Sequence, residues 1–204
     1  MGGNETFNLN SEILRTYRSI DRNIKRIQRA TSLSCPKGCG LCCKTQKIEA
    51  TILEMLPLAE AIFENKEEET ILLRSENLIE ENDFSCALFS QDANIPVNGH
   101  CTYYYFRPLL CRLFGFAARK NRYGDLEFCT CRHIKESYPE NVRRVGIGIS
   151  AGMNIPVYQE SFMRIAALNP GIGFKRLPIN IAIKEALEYI YWRRPKRFKM
   201  AKAS

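Results

Sequence analysis

Histidine is scarce in this chain, and several common catalytic patterns are absent from its sequence. The chain has 204 residues and two histidines, His100 and His133. It contains no Ser-His-Asp order, no HExxH motif and no Walker loop, which argues against the corresponding hydrolase, zinc-peptidase and P-loop classes. Both histidines lie close to cysteines in the sequence. We interpret them as incidental neighbours, with metal ligation as the alternative.

Long apolar runs are also missing. The longest uncharged stretch, "VGIGISAGMNIPVYQ", is broken by glycine and is shorter than the ~18 apolar residues that a membrane span requires. The N-terminal stretch "MGGNETFNLNSEILRTYRSIDRNIKR" has no uninterrupted apolar core of the kind found in secretory leaders. We therefore predict no transmembrane segment and a reducing, cytoplasmic location. In such a compartment clustered thiols more often bind metals than form disulfides.

The formal net charge is +8, and the positive charge is concentrated near the two ends. The C-terminal stretch "WRRPKRFKMAKAS" is strongly basic. Basic ends of this kind can attract nucleic acid or anionic lipid, but no recognised nucleic-acid-binding motif accompanies them. The pattern favours solvated helix faces and a basic tail, and a nucleic-acid partner is not predicted. The basic residues of the first predicted helix are Arg15, Arg18, Arg22, Lys25, Arg26 and Arg29.

The chain is long enough for one domain with a substantial core. Apolar residues at helical spacing predict an N-terminal amphipathic helix over 10–32 and further helices over 136–194, followed by a basic tail over 195–204. A second helix is expected to kink or break at Pro57. Strand-like segments on both sides of "KNRYGD" predict an antiparallel hairpin. The predicted fold is thus a single metal-stabilised domain over 1–204, mainly α with a small inserted antiparallel β segment (α+β).

Nine cysteines are the most informative feature, and four of them fall in "CPKGCGLCC" at 35–43. Clustered thiolates select zinc or iron–sulfur clusters, and glycine lets a short loop bend several thiols to one point. Cys35, Cys39 and Cys42 are therefore suited to one metal centre. The adjacent Cys43 points elsewhere in an extended chain, so it serves a second centre or a packing role. Cys129 and Cys131, two residues apart on a predicted strand, are expected to face the same way.

Two arginines stand beside the remaining cysteines, in "CTYYYFRPLLCRLFG". A metal held by four thiolates carries net negative charge, about −2 for Zn²⁺. A neighbouring guanidinium offsets that charge and lowers thiol pKa values, and it can donate hydrogen bonds to sulfur. We therefore predict that Arg107 and Arg112 support the metal centre without binding the metal.

Together these elements resemble the YkgJ-type cysteine-cluster family, described as a zinc- or iron-chelating domain. Its pattern runs C-x3-C-G-x-C-C, then a lone cysteine, then C-x2-Y-x2-R-P-x2-C-R-x-F. The resemblance covers a cysteine-cluster metal-binding core over 35–131 and implies a metal-ion ligand: iron, either as an iron–sulfur cluster or otherwise, or alternatively zinc. The eighth cysteine usual in the family would be Cys129 or Cys131. The spacing and the resemblance together predict Cys35, Cys39, Cys42, Cys86, Cys101 and Cys111 as leading metal ligands, with Cys43, Cys129 and Cys131 next. They also predict that Tyr104 supports the metal centre beside Arg107 and Arg112. The matching positions in this chain are Cys35, Cys39, Gly40, Cys42, Cys43, Cys86, Cys101, Tyr104, Arg107, Pro108, Cys111, Arg112 and Phe114.

Two alternatives remain open at this stage. Flagellin lysine N-methylases carry a similar cysteine cluster, so the chain could be a cluster-bearing enzyme acting on a protein substrate. The glycine-rich segment at 146–152 lacks the GxGxxG spacing of a cofactor loop. A purely structural zinc domain that binds a protein partner is the other alternative. The sequence does not decide whether the protein is an enzyme.

Overall fold

The computed structural model describes residues 3–36, 38–45, 48–92 and 99–194. Within these ranges the chain is mostly helical and carries three two-stranded antiparallel sheets, which confirms the α+β prediction. None of the described helices combines the length and apolar composition that a membrane span requires. The basic tail predicted at 195–204 lies outside the described residues.

The strands come in short pairs between runs of helices, except that β1 and β6 are far apart in the sequence. The helices are α1 (Gly3–Thr31), α2 (Ile52–Glu64), α3 (Glu68–Glu80), α4 (Leu109–Leu113), α5 (Arg132–Ser137), α6 (Pro139–Ser150), α7 (Tyr158–Ala166), α8 (Pro170–Gly173) and α9 (Ile179–Arg193). The strands are β1 (Glu49–Thr51), β2 (Phe89–Gln91), β3 (Gly99–Cys101), β4 (Ala117–Lys120), β5 (Leu126–Cys129) and β6 (Arg176–Pro178). They pair as β1 with β6, β2 with β3, and β4 with β5.

The N-terminal helix is amphipathic, as its apolar spacing predicts. α1 packs on α2 and α4 and buries one apolar stripe, while its arginines are exposed. The helix is longer than predicted, since it begins at Gly3. The buried residues of this stripe are Ile13, Tyr17, Ile20, Ile24 and Ile27.

The core is organised around α2, which packs against α1, α3 and α9. Every residue from Leu53 to Ala59 on this helix is buried. The expected break at Pro57 is wrong, because the helix runs without interruption from Ile52 to Glu64. A proline in a helix interior removes one backbone hydrogen bond, and we attribute the helix's continuity to its burial on all sides.

The predicted hairpin is present and places two of the cysteines. β4 and β5 pair with Ala117 opposite Cys129. The strand ends there, so the expectation that Cys129 and Cys131 share one strand face is wrong. Cys131 instead caps the next helix, where its Sγ accepts a hydrogen bond from the Ile134 N–H at 3.4 Å.

Arg112 joins the N-terminal helix to the chain around α4. Its side chain is 2% exposed and its guanidinium lies 2.5 Å from the Asp21 carboxylate on α1. The same group donates to the carbonyl oxygens of Arg107, at 2.7 Å, and Tyr105, and it lies 4.2 Å from the centre of the Tyr17 ring. The buried charge is therefore paired and hydrogen-bonded, which is the condition for burying a charge at acceptable cost.

Glu54 is a buried carboxyl that connects two helix N-termini. With Thr51 it forms a capping box at the start of α2, where the Glu54 N–H donates to Thr51 Oγ1 at 3.1 Å. Its Oε2 accepts from the Leu109 N–H, the first residue of α4, at 2.9 Å. Loss of solvation outweighs these hydrogen bonds and raises the pKa of Glu54 to about 7. Its neutral form is therefore favoured in the folded protein.

Phe89 packs its ring directly against two glycines. A Cβ on Gly40 would lie 2.2 Å from Phe89 Cε2, and a Cβ on Gly99 would lie 2.5 Å from Phe89 Cζ. The ring is buried, and Gly40 belongs to the cysteine loop. These contacts fix the loop against the β2–β3 sheet and give a packing reason for glycine between Cys39 and Cys42.

Changing Glu54 to glutamine should remove one source of pH-dependent stability. The pKa of Glu54 is about 7 in the folded protein, against 4.5 ordinarily. Its contribution is therefore complete below about pH 4.5 and is lost as the pH rises through 7, by an amount on the order of 3 kcal/mol. We expect Glu54→Gln to flatten the unfolding free energy over this range in denaturant titrations. The exposed control Glu80→Gln should retain the wild-type slope, and an identical slope in Glu54→Gln would contradict the assignment.

Adding a methyl group at Gly40 should destabilise the cysteine loop. We expect Gly40→Ala to lower the unfolding free energy by about 1–3 kcal/mol because the buried ring has little room to move. Replacing the ring as well, in Gly40→Ala/Phe89→Leu, should recover part of that loss relative to Phe89→Leu alone. Gly146→Ala is the control, since a Cβ there meets nothing within 4 Å. Strict additivity in this double-mutant cycle would show that the ring contact is not the cause.

Candidate metal centre

All nine cysteines line one cavity of about 1290 Å³. Its walls come from α1, the loop that follows α1, the β2–β3 sheet, the segment leading into α4, β5 and the start of α5. The three residues predicted to support the metal, Tyr104, Arg107 and Arg112, line the same cavity. The structure thus brings the whole predicted set together from segments far apart in the sequence. The cysteines are Cys35, Cys39, Cys42, Cys43, Cys86, Cys101, Cys111, Cys129 and Cys131.

The cysteine loop is held by its own backbone. The Cys39 N–H donates to the Pro36 carbonyl at 3.1 Å, and the Cys43 N–H donates to Gly40 at 2.9 Å. A 3₁₀ turn covers Leu41–Lys44, so the C-terminal part of the loop has regular structure.

Two further backbone bonds attach the loop to the rest of the site. The Cys86 N–H donates to the Cys43 carbonyl at 2.8 Å, and the Gly99 N–H donates to the Gly38 carbonyl at 2.9 Å. Gly38 has a φ of 73°, a conformation that other residues adopt at a cost. Cys86 and the β3 segment that contains Cys101 are therefore placed beside the loop by the backbone itself.

The thiols form two neighbouring groups, defined by which thiols shift one another's pKa values. In the larger group, Cys42 raises the pKa of each other member. In the smaller group, Cys39 and Cys131 raise the pKa of Cys35, and Cys42 raises it to a smaller extent. The groups therefore adjoin at Cys42. The pKa of Cys129 is raised by burial first, and the charges that act on it next belong to Arg119, Glu127 and Lys135. The larger group consists of Cys42, Cys43, Cys86, Cys101 and Cys111.

Cys42 is the cysteine whose thiolate is most favoured. A hydrogen bond from the Cys43 thiol, aided by the Arg107 guanidinium, lowers the pKa of Cys42 to about 7 against the opposing effect of burial. The same hydrogen bond raises the pKa of Cys43, and burial raises it further. Adjacency thus gives the two cysteines opposite protonation preferences, with the thiolate on Cys42.

Burial raises the pKa values of most of the other thiols. It raises the pKa of Cys35 and of Cys86 to about 12 each. It also raises the pKa values of Cys101, Cys111 and Cys129. In the metal-free protein these groups are therefore neutral thiols at pH 7, and metal binding to them must release protons.

The two arginines of the motif occupy different environments. Arg107 lowers the thiol pKa values of Cys42, Cys101 and Cys111, so its charge is felt by the larger thiol group. Its Cζ lies 3.4 Å from the Tyr104 ring centre, and its Nε donates to the Tyr104 carbonyl at 2.9 Å. The Arg112 guanidinium is engaged with Asp21 and the carbonyl oxygens described above. That Arg107, Arg112 and Tyr104 act on a bound metal stays a prediction.

The donor chemistry of the cavity fits zinc or iron, but the side chains are not yet converged on one point. All nine cysteines are free, and sulfur donors in this number suit soft metals. Over residues 3–36, 38–45, 48–92 and 99–194, no group of three or more His, Cys, Asp or Glu side chains is close enough to hold an ion. Metal binding would therefore require thiols to turn inward from the walls.

Sequence reasoning missed Asp21 and Phe89 as residues that support this site. Asp21 is the only acidic residue between Arg15 and Arg29, and that isolation could have drawn attention to it. Phe89 carries no comparable signal in the sequence. Its partners are glycines that adjoin it only after the loop and the β2–β3 sheet have formed.

Comparisons with known proteins agree with this arrangement. No curated protein and no solved structure matches the chain. Residues 34–132 match the family model CxxCxxCC, whose description reads "Putative zinc- or iron-chelating domain". The matched segment contains all nine cysteines and most of the cavity wall, whereas α1 supplies a further part of that wall from outside the match. Residues 34–132 thus match the zinc- or iron-chelating family model, which confirms the cysteine-cluster resemblance read from the sequence.

Proposed function

We propose that the protein binds zinc or iron through thiolates that turn into the cavity from its walls. The observation that carries the proposal is the convergence of all nine cysteines on one cavity. Five separate segments contribute them, and sulfur donors gathered in this number suit zinc or iron. The thiols of the group around Cys42 are the leading ligands, with Cys35, Cys39, Cys129 and Cys131 available for a second, adjoining position.

The protein's own residues would control protons and charge at this site. The Cys42 thiolate is available near neutral pH, so it is the natural first ligand. The remaining thiols lose their protons to solvent as metal–sulfur bonds form. Arg107 would then balance the net negative charge of the thiolate-bound metal. The metal supplies Lewis acidity, or electron transfer if it is an iron–sulfur cluster.

A second candidate function is favoured by the size of the cavity. Its volume of about 1290 Å³ exceeds the roughly 300–1,000 Å³ of ordinary small-ligand pockets. It leaves room for a substrate beside a metal, as a cluster-bearing enzyme would need. The glycine-rich segment considered for a methyl donor falls mostly within α6, so it does not form a glycine-rich loop. A closed structural zinc site agrees less well with such an open cavity.

Metal and acid-labile sulfide per chain, measured on anaerobically purified protein with its visible spectrum, test the proposal. Iron with sulfide would support the cluster-bearing enzyme. Colourless protein with one or two zinc ions would support a zinc-binding role. Protein that carries neither metal, and takes up neither on reconstitution, would overturn the proposal.

Serine in place of a ligand cysteine should lower the metal content. We expect Cys111→Ser, in the larger group, and Cys39→Ser, in the smaller group, each to reduce bound metal per chain. A hydroxyl is a harder and weaker ligand than a thiolate. Ser34→Ala, which alters an exposed lining residue without removing sulfur, should bind the wild-type amount. Unchanged metal stoichiometry in both serine variants would exclude these two residues as ligands.

The hydrogen bond between neighbouring thiols should be visible in the metal-free protein. Alkylation of Cys42 by iodoacetamide, followed site by site with mass spectrometry, should show an apparent pKa of about 7. Removing the donor in Cys43→Ala should raise that value toward the ordinary 9.0, because the Cys43 thiol is the main cause of the shift. Cys129→Ala is the control, since Cys129 lies outside the group of thiols around Cys42. An unchanged Cys42 profile in Cys43→Ala would contradict the assignment.

A further inference from the structure

The cavity has a strong excess of positive charge along its lining. Among the described residues that line it, six are cationic and two are carboxylates. Both carboxylates are already paired, Asp21 with Arg112 at 2.5 Å and Glu127 with Arg119 at 3.3 Å. The other four cationic residues are Lys25, Arg107, Arg132 and Lys135.

The exposed lining residues form the mouth of the cavity, and two of these cations lie there. Lys25 on α1 and Lys135 on α5 are exposed, and neither makes an ion pair with another described residue. Arg132 is paired with Glu136, yet its side chain remains 91% exposed. These side chains extend into solvent, whereas Arg107 acts on the thiols of the larger group. Their charge is therefore presented to whatever approaches from outside.

The outer face of α1 extends this charge away from the mouth. Exposed arginines precede and follow Lys25 at intervals of four, three and four residues, which places them on one side of the helix. Such a stripe raises the local concentration of anions next to the cavity and speeds their association. A bare divalent cation would be repelled by the same field. The residues of the stripe are Arg18, Arg22, Lys25 and Arg29.

We infer that the metal enters this cavity as an anionic carboxylate chelate, which the cations at the mouth attract, and not as a free hydrated cation. The inference rests on the proposed metal-binding function and names the form in which the metal arrives. A chelate whose carboxylates outnumber the charge of the ion carries net negative charge, and it fits a cavity larger than a metal alone requires.

The transfer is a ligand exchange with no change in oxidation state. Each metal–carboxylate bond that breaks is replaced by a metal–sulfur bond. The proton released by each thiol passes to the freed carboxylate or to water. The emptied chelator then leaves by the route through which it entered. Neither lysine is a metal ligand in this scheme. Lys25 contributes attraction only, and Lys135 also lowers the pKa of the Cys129 thiol.

Zinc loading of the metal-free full-length chain, followed by stopped flow, tests the inference. Zinc is supplied either as its anionic nitrilotriacetate complex or as the hydrated ion in a non-coordinating buffer. The test variant is Lys25→Glu/Lys135→Glu. The control is Lys175→Glu/Arg164→Glu, which alters two exposed cations that do not line the cavity. Both variants make the same change in net charge.

We expect the test variant to load from the anionic complex about tenfold more slowly than wild type at low ionic strength. It should load faster than wild type from the hydrated ion, and added salt should reduce both differences. The control should stay within about twofold of wild type, and all three proteins should reach the same final zinc content. Equal rates in the test variant and wild type, or equal slowing in the control, would overturn the inference while leaving metal binding intact. Absence of zinc uptake from both sources, together with no uptake of iron on reconstitution, would instead overturn the proposed function.

Discussion

The buried guanidinium of Arg112 determines whether the cavity has a complete wall. It holds Asp21 on the N-terminal helix and, from the same planar group, the carbonyl oxygens of Tyr105 and Arg107. These contacts fix α1 beside the segment that runs from Cys101 to Cys111. Removing one partner would leave a buried charge without compensation, a loss on the order of 3–5 kcal/mol. The two sides of the cavity would then no longer be held at a fixed separation.

The sequence predicts well what depends on local pattern. The apolar periodicity of α1, the hairpin around "KNRYGD" and the helical character of the C-terminal region all follow from spacing over a few residues. The cysteine motif, which covers residues 35–131, predicts that the cysteines lie near one another in the fold. All of α1 and all of the last helices lie outside that pattern, yet α1 supplies one wall of the site.

Two of the failures share a physical cause, since each involves a contact between segments distant in the sequence. No local sequence pattern predicts that Phe89 lies over Gly40 and Gly99, or that Arg112 binds a carboxylate on α1. The predicted break at Pro57 failed because burial around α2 outweighed a local preference. Cys131 departed from the strand because β5 ends at Cys129, and its sulfur found a helix N-terminus instead.

That position of Cys131 connects two properties that are usually separate. Its sulfur both lines the cavity and accepts the Ile134 N–H that closes the first turn of α5. A ligand that binds this sulfur therefore uses lone pairs of the same atom that accepts the hydrogen bond at the start of α5. By linkage, whatever occupies the cavity at Cys131 also alters the free energy of opening that turn, and opening of the turn alters affinity to the same degree. The order of this short helix therefore depends on whether a ligand occupies the cavity at Cys131.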